Sequence, residues 1–128
     1  MIHNRSRLNQ FVDYSGLTFG TIHPTDCDGE IEYHDKAWIF FEIKYKGKNV
    51  PFGQELALKR KVDDIARGGK EAVFFVAEHY IADVSQDVDA AKCKVRYLYY
   101  KNQTYKGDGS DLKAYINRFI GMVDGIAA

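Results

Sequence analysis

TDCDGEIEYHDKAWIFFEIKYKG, residues 25–47, decides how the chain is read. Its second half is the most apolar run of the sequence, yet Glu42 and Lys44 interrupt that run two residues apart. On an extended strand such residues project to one face, so Glu42 and Lys44 follow Trp38 and Phe40, while Ile39, Phe41, Ile43 and Tyr45 occupy the other face. Burying an unpaired charge costs several kcal/mol, so a partner or a metal normally compensates it. The plainer alternative is a strand whose wet face carries Glu and Lys.

The first half of the stretch offers the compensation. Asp26, Asp28, Glu30 and Glu32 share one parity and point to one side if the segment is extended. A hairpin closed by the three residues HDK pairs Tyr33 with Ala37, and counting outward sets Asp28 opposite Glu42 and Asp26 opposite Lys44. Directly opposed side chains lie ~5 Å apart at Cβ, close enough for two carboxylates to hold one divalent cation. The register is conditional, because one residue more or less in the loop turns the acids to the opposite face.

Working outward, RSRLNQFVDYSG carries Leu8, Phe11 and Val12 at helical spacing and predicts a short helix ending at Gly16. LTFGTIH alternates and predicts a strand ending near Pro24. GEIEY and AWIFFEIKY form the hairpin. GQELALKRKVDDIARGG follows Pro51 as a helix with Gln54, Leu58, Val62 and Ile65 on one stripe and a Gly-Gly stop. EAVFFVAEHYI is a further buried strand, and KCKVRYLYYKNQTYKG a strand pair turning near Asn102. SDLKAYINRFIGMV closes with a helix, with Ser110 as its expected N-cap and Leu112, Tyr115, Ile116, Phe119 and Val123 on one face. The sum is a mixed α/β domain spanning residues 1–128, without internal repeat or linker.

The acid on one hairpin strand followed by Glu-x-Lys on the next resembles the signature of the PD-(D/E)XK, or restriction endonuclease-like, nuclease superfamily. The element order over about residues 5–81 is similar to that superfamily's αβββαβ core. This resemblance implies a central mixed sheet, with the last strand pair and helix appended. It implies that Asp28 and Glu42 bind Mg²⁺ or Mn²⁺, and that Lys44 orients the attacking water or stabilises charge on the phosphate. It also gives Gln54, at the start of the following helix, a place in the site; helical spacing independently points Gln54 toward the acids. The first-strand acid stays open. Pro24 precedes Thr25-Asp26, which favours Asp26, and Glu32 follows the Gly29 spacing of some recombination nucleases, although at ~3.3 Å per residue it lies ~13 Å from Asp28. Where many members place a Glu on the first helix, this chain has only Asp13.

The implied function is metal-dependent hydrolysis of DNA phosphodiesters, one form being structure-specific cutting of branched DNA, as by Holliday-junction resolvases, by a homodimer. The small size without a separate recognition domain resembles phage-encoded nucleases. A catalytically inactive member that binds DNA or a protein partner, and an unrelated α/β interaction domain, are the other readings. Lys46, Lys48 and Arg60 are expected to contact phosphates, with Lys59 and Lys61 better read as solubilising charge. Tyr97, Tyr99, Tyr100 and Tyr105 read better as sheet packing than as base-stacking platforms. His79 reads better as a hydrogen-bonded structural histidine than as a site residue.

Bulk properties agree with these readings without choosing among them. Residues number 128, 45% hydrophobic and 28% charged, as in an ordinary single globular domain. Eighteen basic residues balance eighteen acidic ones, so charge alone does not drive nucleic-acid coating. Locally the balance breaks: residues 36–70 carry nine Lys/Arg against four acids, and residues 91–106 five against none. Cys27 and Cys93 have no paired spacing, which disfavours a disulfide framework or thiolate zinc site. With no long apolar run and no secretory leader visible, no membrane association and a cytoplasmic location are the expectations.

Overall fold

The computed structural model describes residues 12–125. Strands β1 (Gly29–Tyr33), β2 (Ala37–Tyr45), β3 (Glu71–His79), β4 (Lys94–Tyr100) and β5 (Gln103–Lys106) form one sheet in that spatial order. Helix α1 (Phe52–Arg67) connects β2 to β3, and α2 (Leu112–Val123) follows β5. Because the connection runs through a helix, β2 and β3 are parallel; all other neighbours are antiparallel. The chain is therefore an α/β fold with a five-stranded mixed sheet. No helix among the described residues is long and apolar enough to cross a membrane.

Each face of the sheet is covered by one helix, and strand parity decides which residue meets which. Phe40, Ala72, Phe74, Val76 and Tyr99 face α1 and pack against Leu58 and Val62, with Trp38 and Ile65 at the margin. Ala37, Ile39, Val73, Phe75 and Val95 face α2 and pack against Leu112 and Phe119, with Tyr115, Ile116 and Val123 completing the stripe. Both sheet faces are buried, which is why β2 and β3 read as nearly continuous apolar runs rather than as alternating ones.

The ends of the elements follow local chemistry. The β1–β2 hairpin closes through His34 and Asp35, both with positive φ (49° and 59°), and Tyr33 pairs with Ala37. Glu32 accepts a hydrogen bond from the Asp35 amide (2.6 Å) and fastens this turn. Lys101 and Asn102, also at positive φ, make the two-residue turn that joins β4 to β5. Helix α1 stops at Gly68 and at Gly69, whose φ of +93° suits only glycine.

Three expected features take another form. Residues 5–11 of the expected first helix lie outside the described residues, and from Val12 onward only a single 3-10 turn, Ser15–Leu17, is present. Across residues 17–23 the expected strand is reduced to an isolated bridge between Phe19 and Ile22, bent back on itself through Gly20 at φ +66°. Alternation is a weak guide here, because Leu17, Phe19 and Ile22 are all more than half exposed and bury little apolar surface. The N-cap of α2 is Asp111, whose carboxylate accepts from the Ala114 amide (2.9 Å), and not Ser110. The Ser110 hydroxyl instead accepts from Arg118 (2.5 Å).

Candidate active site

Glu42 is the one charged side chain among the described residues that is buried, with 1% of its surface exposed. Its parity on β2 aims it at the α1 face, beyond Phe40 and toward the first turn of the helix. There the Gln54 side-chain amide donates to the Glu42 carboxylate, and the same Nε2 donates to the Asp26 carbonyl (2.6 Å) and carboxylate (3.2 Å). Gln54 therefore lashes together β2, α1 and the segment entering β1. The sequence placed it correctly because the stripe through Leu58 and Val62 must face the sheet.

Asp28 completes the cluster in a slightly different manner from the counted register. Ladder pairing ends at Gly29 opposite Phe41, whose ring occupies the space where a Cβ on residue 29 would stand. One residue earlier, Asp28 leaves the ladder and its carboxylate accepts from the Ile43 amide (2.7 Å). This brings Asp28 against Glu42. Burial first, then a hydrogen bond to Asp28 and the negative charge of Asp28, raise the Glu42 carboxyl to about 8, with Asp26 adding to the effect and Lys44 opposing it. Asp26 does not stand opposite Lys44 as counted, because the chain has left the strand and turned toward Gln54. Glu32 lies at the far end of the hairpin, engaged with its turn. Of the three first-strand acids, Asp28 and Asp26 reach Glu42 and Glu32 does not.

Lys44 is half-buried on the same face, two residues past Glu42, and its register partner on β3 is Glu78. Nothing in the sequence singles out Glu78 over its neighbour His79. Parity separates the two. His79 turns to the opposite face, where its ring meets Tyr45 edge-on and its Nδ1 accepts from the Ile81 amide (3.2 Å). A parallel β2–β3 register, once assumed, would have paired Glu78 with Lys44. Glu78 is held by Arg96 (2.8 Å) and Tyr80 (2.6 Å), which lower its pKa. Arg96 reaches it because the ladder slips by one residue between Val76 and Ala77, a bulge that re-aims the side chain. The same guanidinium donates to the Lys48 carbonyl (2.7 Å) and so anchors the loop that carries Lys46 and Lys48.

Neighbouring side chains fix the rest of the wall. The Tyr97 hydroxyl donates to Glu55, next to Gln54; burial and that carboxylate push its pKa up. Tyr99 donates to Asp63 (2.9 Å) and Tyr100 to Glu71 (2.6 Å), so these three tyrosines pack and bond between elements, while Tyr105 is exposed. Lys46, Lys48 and Arg60 are exposed. A recess of ≈ 200 Å³ lined by His23, Thr25, Asp26, Gly53 and Gln54 opens beside the cluster.

The donor set is one of hard oxygens: Glu42 and Asp28, with Asp26 nearby. Among the described residues no group of three or more His, Cys, Asp and Glu side chains could hold a metal ion by itself. Magnesium is typically held by only one or two carboxylates, retaining waters and taking further oxygens from substrate phosphates. A Glu42 carboxyl driven to keep its proton beside the Asp28 carboxylate fits such an ion, because a divalent cation supplies the charge that the proton otherwise provides. Comparison with known families, curated proteins and solved structures finds no match for this chain.

Proposed function

We propose that this chain is a divalent-metal-dependent nuclease that hydrolyses DNA phosphodiester bonds, a member of the PD-(D/E)XK superfamily. The observation that carries the reading is Glu42: a buried carboxylate, facing a second carboxylate, with no ion-pair partner among the described residues. A purely structural position would favour an apolar or ion-paired side chain, since a buried carboxyl with no counter-charge must either keep a proton, as Glu42 does here, or lose stability.

In this reading Asp28 and Glu42 hold Mg²⁺ or Mn²⁺, with Asp26, held by Gln54, as the alternative first-strand ligand. Such an ion, when bound, neutralises phosphate charge and lowers the pKa of a bound water. Gln54 keeps the Glu42 and Asp26 oxygens in place without adding charge. Lys44 presents its ammonium beside the carboxylates, where it orients the attacking water and stabilises the charge growing on the phosphate. Lys46, Lys48 and Arg60 grip backbone phosphates on either side. The homodimer favoured by the small size belongs to the same proposal.

The second reading, a catalytically inactive nuclease-fold protein that binds DNA, draws on the lack of a third metal ligand in a complete group. A cleavage panel of linear, nicked, single-stranded and four-way-junction DNA with Mg²⁺ and Mn²⁺ separates the two. The wild type is expected to cut at least one substrate. Lys44→Ala should lose that activity by about a hundredfold or more, since its role lies in the transition state, while DNA and metal binding persist. Binding of DNA without cleavage of any substrate selects the second reading.

A further inference from the structure

A larger recess lies on the same sheet face, farther from the hairpin's open end. This cleft of ≈ 530 Å³ is lined by Glu30 of β1, Trp38 of β2, and Ala57, Arg60, Lys61 and Asp64 of α1. Its volume falls in the range that holds small organic ligands.

The lining has a definite chemistry. Trp38, the single tryptophan of the chain, is half-buried and held parallel to Phe40, ring centroids 6.1 Å apart and planes within 4°. Lys61 sits over the Phe40 ring (4.8 Å) and pairs with Glu30 (3.6 Å); Arg67 pairs with Asp64. Both acids are thereby offset, and each keeps carboxylate oxygens able to accept from an exocyclic amine. Arg60 has no ion-pair partner among the described residues. A rigid aromatic wall, acceptors at the edge and a spare guanidinium together match a nucleobase and its phosphate: the ring stacks, the acids take the amine, and Arg60 takes the phosphate.

We propose that this cleft is a stacking subsite for an unpaired nucleobase of the DNA strand that the carboxylate site engages. The assignment rests on the nucleic-acid reading given above. Trp38 and Glu42 lie four residues apart on one strand face, or ~13 Å. At ~3.4 Å per stacked nucleotide, the base sits within about four nucleotides of the phosphate at Lys44. A base inside a duplex cannot present its ring to the cleft, so the site selects single-stranded or splayed DNA.

Because Trp38 is the only tryptophan, its fluorescence reports the cleft directly. The protein is titrated, with chelator present, against a short single-stranded oligonucleotide, the corresponding duplex, and deoxycytidine monophosphate. The single strand is expected to quench the emission saturably and to bind at least about tenfold more tightly than the duplex or the free nucleotide. Ala57→Leu, at an exposed helix position, fills the cleft and should weaken single-strand binding by about tenfold. Arg60→Gln leaves the cleft open and should weaken it severalfold. Equal quenching by single strand and duplex, equal affinity for the free nucleotide, or wild-type affinity in the folded variants overturns the proposal. Quenching by the single strand without DNA cleavage in the metal panel would leave the cleft standing and remove the nuclease reading. Cleavage with a silent Trp38 would do the reverse.

Discussion

Glu42 is expensive where it stands, and its cost has a measurable sign. The folded chain keeps a proton on Glu42 up to about pH 8, whereas the unfolded chain releases it near 4.5. Across that window the native state binds more protons, so stability falls as pH rises, by up to ~1.4 kcal/mol per pH unit from this group. Glu42→Gln removes the titration and should flatten the dependence. Denaturant midpoints measured with chelator at both ends of the window check it: the wild type declines from the acid to the alkaline end, and the variant does not. Glu42, Lys44 and Gln54 were legible in the sequence because pleat parity and helical spacing fix direction without any tertiary information. Asp28 and Asp26 were legible only as a set. Which of them meets Glu42, and how, depends on Asp28 leaving the ladder to bond the Ile43 amide, an event that parity does not encode.

At the level of elements, the hairpin register followed from its sequence because a three-residue loop and one apolar face leave few alternatives. The strand expected at residues 17–23 failed for the complementary reason: alternation specifies a strand only where a neighbour accepts one of its faces, and among the described residues none does. The β4 bulge that delivers Arg96 to Glu78 was not legible at all, since KVRYLYY carries no residue that demands an extra position. The return from β5 to α2 is similarly tight. Gly107 passes so close to β4 that an added Cβ would stand 2.0 Å from the Val95 carbonyl oxygen, while its amide donates to the Arg96 carbonyl (2.9 Å). Gly107→Ala should therefore cost about 1–3 kcal/mol as an overpacked contact with backbone that cannot yield easily. Urea denaturation measures the loss, and a variant as stable as the wild type would show that this crossing relaxes.

For the whole molecule, equal numbers of acids and bases mean that any DNA affinity must come from local patches rather than from net charge. Under the proposed function three exposed cations, Lys46, Lys48 and Arg60, contact phosphates. Counterion release then gives log affinity against log salt a slope of about −3 on duplex DNA and about −2 on a single strand. Binding titrations across a salt series test this, and a much steeper slope would place the interface over more of the basic segments at residues 36–70 and 91–106. The α/β layering was legible at this scale, because helical and strand periods alternate plainly along the chain. The gathering of Asp28, Glu42 and Lys44 at one end of β2 was legible from the hairpin register, but the burial of Glu42 was not, since it is a property of the packed sheet.

The central claim is that Asp28 and Glu42 form a divalent-cation site, and calorimetric titration of the protein with Mn²⁺ tests it most directly. The wild type should give a saturable heat that is lost in Asp28→Ala, with the mutant still folded by circular dichroism. A wild type that gives no heat, or an Asp28→Ala variant that binds Mn²⁺ as the wild type does, would contradict the account.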